Sequence, residues 1–419
     1  MSETSAARSE WARGWPLAIA SLAGMMIASV ALYLIGALIA PLEAEFGWSR
    51  AQISLGLTVS TLCGAVLSPL VGLMIDRWGP RRIGLPGAIC ALAALSLLSL
   101  TTGNPAVWLG LWFLVALFAV GIKPTVWTMA IASTFNKARG LAMAVALCGS
   151  SVAALVLPSL AIWLIDTNGW RAAIPLTSLI VGAVLVPILF FFFRSDADRA
   201  RSGTAAEQPN VPQTGVLSVR TAVLSPQFAK IAGAAFVFTL CGLGMVSNLV
   251  PILTSLQFER TQAGVIAGLL GLASFTGRIG TGFPLDRFNS NLVAGSLVGL
   301  PVITCVLLLN AEGNAVMAAA AILIFGLAFG AEVDVIAYLT AEKFGTARYG
   351  TIFGFMTTSW YLATAAGPVL FSLVFDMTGN YAFALKAAIP LFALTSLLLF
   401  ALGKPLEFDR QVSAEGSKA

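Results

Sequence analysis

The chain has 419 residues, of which 58% are hydrophobic and only 10% charged, with 24 Lys and Arg against 19 Asp and Glu. A soluble domain carries roughly a quarter charged residues, so a water-soluble globule is excluded, and a disordered chain with it. Five cysteines inside apolar runs and no histidine exclude a disulfide scaffold and leave little for a zinc or haem site.

A helix that crosses the hydrocarbon of a bilayer needs about 20 mostly apolar residues. Twelve stretches qualify, in chain order 17–42, 53–74, 83–101, 106–133, 141–165, 172–193, 228–253, 262–285, 291–309, 315–344, 350–375 and 381–403. We number them spans 1 to 12. The pattern predicts an all-α membrane protein in a lipid bilayer. Span 1 is longer than the roughly 7–15 residues of a signal-peptide core, and no cleavage site follows it. The runs are continuous, which excludes the alternating strands of a membrane β-barrel.

Lysine and arginine set the orientation. With the N-terminus inside, eighteen lie on the cytoplasmic side and four outside: Arg50, Arg171, Arg260 and Lys386. Both termini are expected in the cytoplasm of a plasma membrane, taken as a bacterial inner membrane. The net charge of +5 is spread over loops, which reads as topology and not as a nucleic-acid surface. Trp15, Trp48, Trp78, Trp108 and Trp170 fall near span ends, where interfacial tryptophans belong.

The polar stretch 194–227 reads as a cytoplasmic linker between a six-helix bundle at 1–193 and another at 228–419. A shift of 210 residues superposes the halves. Pro41 meets Pro251, Gln52 meets Gln262, and Gly72, Asp76 and Arg77 meet Gly282, Asp286 and Arg287. Gly140, Pro158 and Gly169 meet Gly350, Pro368 and Gly379. One register that tracks loops, span ends and prolines implies a duplicated bundle, with halves related by an axis along the membrane normal.

The loop after span 2 runs Gly72-Leu-Met-Ile-Asp76-Arg77-Trp-Gly79-Pro-Arg81-Arg82, and Gly282 to Asp286-Arg287 is a weaker copy. This loop resembles the signature G-x-x-x-D-R-x-G-x-R-R of the major facilitator superfamily. The resemblance implies two six-helix bundles, substrate bound between them near the midplane, and alternating access. Gly72 would permit close helix approach, Asp76 would cap or pair across the bundle interface, and the arginines would anchor to headgroups. Together these residues would form a gate.

Two shorter stretches are similar to monocarboxylate and oxalate/formate transporters: Phe46-Gly47-Trp48-Ser49-Arg50 and Phe135 to Gly149 leading into span 5. The N-terminal entry motif of those families is reduced here to Arg13-Gly14-Trp15.

Four ionisable residues lie within spans, where a charge costs about 2.5–3.5 kcal/mol. Arg278 in span 8 is eight residues before Asp286, about 12 Å along a helix. It resembles the span 8 arginine that engages the substrate carboxylate in monocarboxylate transporters. A guanidinium stays charged and forks onto both carboxylate oxygens. The aspartate those families often place one turn earlier is here Ser274, so a proton switch within span 8 is missing. Arg278 also reads as a tie between neighbouring helices.

Lys123 in span 4 and the pair Glu332 and Asp334 in span 10 occupy matching heights under the 210 shift. They are expected to form a lysine–acid pair that either breaks during transport or holds the halves in register. The two acids are about 200° apart around a helix, so only one can face the cavity. Asp334 is favoured, because Tyr338 one turn on can hydrogen-bond it. A carboxylate removed from water favours its protonated form, which makes Glu332 and Asp334 the candidates for proton coupling. Lys123 is also expected to assist Arg278 with the substrate carboxylate, and Tyr33 in span 1 and Tyr338 are further candidate substrate contacts. Asn248, Trp360 and Tyr361 are weaker candidates for the cavity wall and read first as packing residues. Gly264/Gly268, Gly326/Gly330 and Gly350/Gly354 read as helix-contact faces.

No nucleotide-binding motif, catalytic pair, cofactor site or metal site is evident. The expected function is a secondary active transporter of a small organic anion, most simply a monocarboxylate, working by proton symport. The alternatives are a proton-coupled exporter or antiporter of an amphipathic compound, aromatic acid or peptide fragment, and a non-transporting sensor on the same fold. The oligomeric state is open, and a monomer would suffice.

Overall fold

The computed structural model describes residues 3–201 and 218–403. Residues 202–217 of the expected linker, the tail from 404 on, and the side chains of Arg50 and Arg260 lie outside the described residues. Among the described residues there is no strand, and eleven helices are long and apolar enough to cross a membrane. One of these, Arg139–Phe192, is two passes. Gly169 interrupts it with φ 75° and ψ 156°, a conformation essentially confined to glycine, so the chain crosses twelve times. The outward faces are apolar: Leu155 and Val316 are 79% and 80% exposed. That surface is costly in water and suits lipid.

The first helix, Glu3–Phe46, begins well before the expected start of span 1. Its Glu10 carboxylate accepts the backbone N–H groups of Asn136, Lys137 and Ala138 at 2.9–3.2 Å, which fixes the turn before span 5.

Three spans are broken in mid-course. Span 4 comprises Pro105–Ala119, a 3-10 turn Val120–Ile122, and Pro124–Thr134. Span 5 is interrupted at Cys148, between Arg139–Leu147 and Gly149. Span 7 is divided at Asn248 into Pro226–Ser247 and Leu249–Ser255. Broken helices occur at membrane depth only where protein or a cavity can satisfy the freed backbone.

The two sequence halves meet along span 2 with span 11 and span 5 with span 8. Each contact ends in the same device. Asp76 accepts the N–H groups of Gly350 and Thr351, both at 2.8 Å, and the Thr351 hydroxyl at 2.6 Å. Asp286 accepts the N–H groups of Gly140 and Leu141 at 2.7 and 3.1 Å. In each case a carboxylate caps the start of a helix from the other half, where the helix dipole favours negative charge. The approach demands glycine: a Cβ on Gly72 would lie 2.2 Å from the Gly350 carbonyl oxygen.

Arg81 donates to the Phe190 and Phe193 carbonyls at the end of span 6. Arg77, Arg82 and Arg287 are exposed. Gly79, at φ 88°, turns the chain between spans 2 and 3.

Two expectations need correction. Trp48, Trp108 and Trp170, at span ends, are buried against neighbouring helices and do not face outward. Phe46, Trp48, Trp108 and Trp112 stack in succession at 4.9–5.9 Å, because aromatic area is better spent between span ends than against headgroups. A Cβ on Gly264 or Gly268 would meet nothing within 4 Å, so these exposed glycines form no helix-contact face, and span 8 packs on span 10 through other residues.

Candidate functional site

Span 10 approaches span 8 closely because Gly326 and Gly330 leave room. A Cβ on Gly330 would meet the Ser274 carbonyl oxygen at 2.1 Å. One turn further, the Arg278 guanidinium donates from Nη1 to Asp334 Oδ1 at 3.1 Å. The pair is enclosed, with the side chains 12% and 1% exposed. Its geometry is single-point, not forked. Arg278 Nε and Asp334 Oδ2 have no hydrogen-bond partner, so each group keeps a capacity for a second contact. Tyr33 from span 1 and Cys148 from the break in span 5 lie within electrostatic reach of Arg278.

Glu332 faces another way, as the helical angle requires. It is 3% exposed and accepts a hydrogen bond from the Thr239 hydroxyl of span 7. Trp360 of span 11 lies beside the same carboxylate, its indole N–H outside hydrogen-bond geometry. Trp360 packs edge-on against Tyr361, with ring centroids 5.1 Å apart. The Lys123 ammonium lies over the Tyr361 ring at 5.1 Å.

A polar belt therefore crosses the interior from Arg278–Asp334 through Glu332 and Trp360 to Tyr361 and Lys123. Beside it is a narrow cavity walled by Pro124, Val333, Ile336, Phe353, Trp360 and Tyr361. Its walls are almost wholly apolar.

Two expectations fail here. Lys123 forms no pair with Glu332 or Asp334: those acids turn to Thr239 and Arg278, and the lysine turns to an aromatic face. Tyr338 does not bond Asp334, whose second oxygen is unpartnered. It sits instead within reach of Asp286, Glu342 and Arg139, near the interlocking carboxylates. Asn248 accepts from Tyr381 and Ser372, which is a packing role between spans 7, 11 and 12. Thr239 was hidden in the sequence, and Trp360 and Tyr361 stood there only as weaker candidates for the cavity wall. A threonine in an apolar run carries no signal, and span 11 gives no hint of which face it turns inward. Among the described residues, no cluster of three Cys, Asp or Glu could hold a metal ion.

A twelve-pass bundle with interlocked halves and buried charges around an interior cavity is the architecture of a membrane transporter. A sequence model described as Major Facilitator Superfamily matches residues 21–368, and the chain belongs to that family. It is similar to the MFS-type transporter hasB of Aspergillus fumigatus, 28% identical over 63% of this chain and 59% of that one. The chain thus spans about three fifths of that relative. The oxalate:formate antiporter of Oxalobacter formigenes is 24% identical over 90% of this chain and 89% of its own. Monocarboxylate transporter 12 of Xenopus laevis is 24% identical over 76% and 73%. Among solved structures, the E. coli fucose:proton symporter FucP superposes with a TM-score of 0.71. It is 14% identical and covers 92% of this chain and 98% of its own. The protein is a multi-pass transporter and not an enzyme.

Proposed function

We propose that the protein imports a small organic anion, most simply a monocarboxylate, by proton symport and alternating access. The observation that carries this reading is the enclosed Arg278–Asp334 pair. A buried ion pair is stable only while both charges remain. A proton on Asp334 releases Arg278, whose unused Nε and the Nη2 beside it then fork onto a substrate carboxylate. Proton and anion travel as a neutral unit. With both gone, Arg278 returns to Asp334 and the empty carrier can reset. Glu332 is a second protonatable group on the same helix, and in this reading Tyr33, within electrostatic reach of Arg278, hydrogen-bonds the substrate held there.

The moving bodies in this reading are residues 1–193 and 228–419, joined by 194–227. The contacts of Asp76 and Asp286 latch the cytoplasmic side, with Gly72, Gly79 and Arg81 shaping the latch and Arg77, Arg82 and Arg287 anchored at headgroups. Both termini face the cytoplasm of a bacterial inner membrane. The names of two relatives, an oxalate:formate antiporter and a monocarboxylate transporter, support an organic anion as cargo.

The test is uptake of lactate, pyruvate, oxalate and benzoate into proteoliposomes, with and without an inward proton gradient. Uptake that rises with the gradient and disappears in Arg278→Ala is expected. Gradient-independent uptake, or normal uptake by a folded Arg278→Ala protein, would refute it. The apolar cavity favours one second reading, a proton-coupled exporter of an amphipathic compound. Outward flux of a hydrophobic cation would select it.

A further inference from the structure

We infer that Lys123, at the break in span 4, is where the carboxylate of a monoacid with a short apolar or aryl body docks, the body lying against Trp360 and Tyr361. This assignment rests on the organic-anion reading above and changes which cation meets the substrate first.

The break in span 4 is built in. Pro124 cannot continue the helix before it, and Lys123 is extended at φ −66° and ψ 162°. The Ile122 carbonyl, freed by the break, accepts the Trp127 indole N–H at 2.8 Å. A new helix, Pro124–Thr134, starts at Lys123 with no side-chain cap. The N-terminus of a helix carries partial positive charge and favours anions. A lysine at that position stands against the dipole, and a charge at this depth is costly in itself. A lysine that starts a helix inside a span, its ammonium over the Tyr361 ring, makes physical sense if an anion comes to it.

No resident anion fills that role. Among the described residues no carboxylate pairs with Lys123, and its ammonium rests on the Tyr361 ring. Arg278, by contrast, is already neutralised by Asp334. The cation free to receive an incoming anion is therefore Lys123, and Arg278 follows once Asp334 takes a proton.

The cavity sets the rest of the ligand. It shares Pro124 and Tyr361 with the surroundings of Lys123, and its other walls are mostly apolar, Val333, Ile336, Phe353 and Trp360 among them, with Thr357 as a polar exception. An aryl or short alkyl body buries against such walls. The larger the apolar body, the more of these walls it covers, and a second carboxylate would need a second cation. The site accordingly favours acids with a large apolar body over short ones such as lactate, and selects against dicarboxylates.

The test is equilibrium binding by calorimetry on the purified full-length protein, with benzoate, phenylacetate, lactate and oxalate as probes. Benzoate and phenylacetate should bind at least tenfold more tightly than lactate and oxalate. Lys123→Gln should weaken benzoate at least tenfold, and Lys123→Arg should retain it. If Lys123→Gln is recovered poorly, the wild-type ranking still decides, and Trp360→Leu should erase that ranking. Benzoate bound equally by Lys123→Gln overturns the assignment. So does tighter binding of lactate or oxalate, which leaves organic-anion transport standing. Failure of monodisperse wild-type protein to bind any of the four acids overturns both.

Discussion

Asp334 on span 10 supplies the carboxylate that Arg278 on span 8 lacks on its own helix, the two meeting at 3.1 Å. The residue one turn before Arg278 is Ser274, and its backbone is the surface on which Gly330 packs. Span 10 thus comes close enough to bring its own acid to the arginine. The same cation and acid chemistry is assembled across two helices instead of along one.

Removing one partner leaves the other charged, buried and unpaired, at a cost of about 3–5 kcal/mol. Asp334→Ala should therefore lower the thermal stability of the purified protein. The double variant Asp334→Ala/Arg278→Met should recover much of that loss, while remaining inactive in uptake. A double variant as unstable as the single one would show that the two charges do not act as a pair.

The two acids should separate in function. Asp334→Asn is expected to keep substrate exchange across proteoliposomes loaded on both sides but to lose accumulation driven by a proton gradient. Glu332→Gln keeps an acceptor for the Thr239 hydroxyl and should keep gradient-driven accumulation at a reduced rate. The reverse pattern would move proton coupling from Asp334 to Glu332.

The interlocking carboxylates predict a conformational bias. Asp76 accepts three hydrogen bonds, and bonds to charged groups contribute about 1.5–3 kcal/mol each. Asp76→Ala should shift the population away from the closed state, seen as faster alkylation of a cysteine introduced at Thr351. Gly72→Leu should do the same by steric exclusion, because its Cβ has no room against Gly350. Unchanged alkylation in both would remove the latch.

Gly169 sits at φ 75° and ψ 156° between the fifth and sixth passes. Gly169→Val forces a branched side chain into that region, at about 1–3 kcal/mol. Lower yield and a lower melting temperature are expected, with transport by the surviving protein intact. A melting temperature equal to wild type would mean that the turn adjusts freely.

The spans, their number and the 210-residue correspondence were legible in the sequence, because hydrophobic run length and repeated loop chemistry are properties of the chain itself. The correspondence of Asp76 with Asp286 and of Gly350 with Gly140 reappears in three dimensions as two matching carboxylate caps. The ionisable residues within spans were legible for the same reason, since a charge in an apolar run stands out. Their partners were not. Lys123 was expected against an acid and rests on Tyr361, while Tyr338, expected beside Asp334, lies near Asp286. A helix fixes the angle between its own residues but not its rotation and depth against neighbouring helices. Those depend on where glycines such as Gly330 let backbones touch. The sequence by itself thus determined a duplicated twelve-pass transporter with a few costly interior charges. The tertiary structure alone decided that Arg278 is neutralised by Asp334 and that Lys123 is not, because pairing across helices is set by packing, which no spacing along one chain encodes.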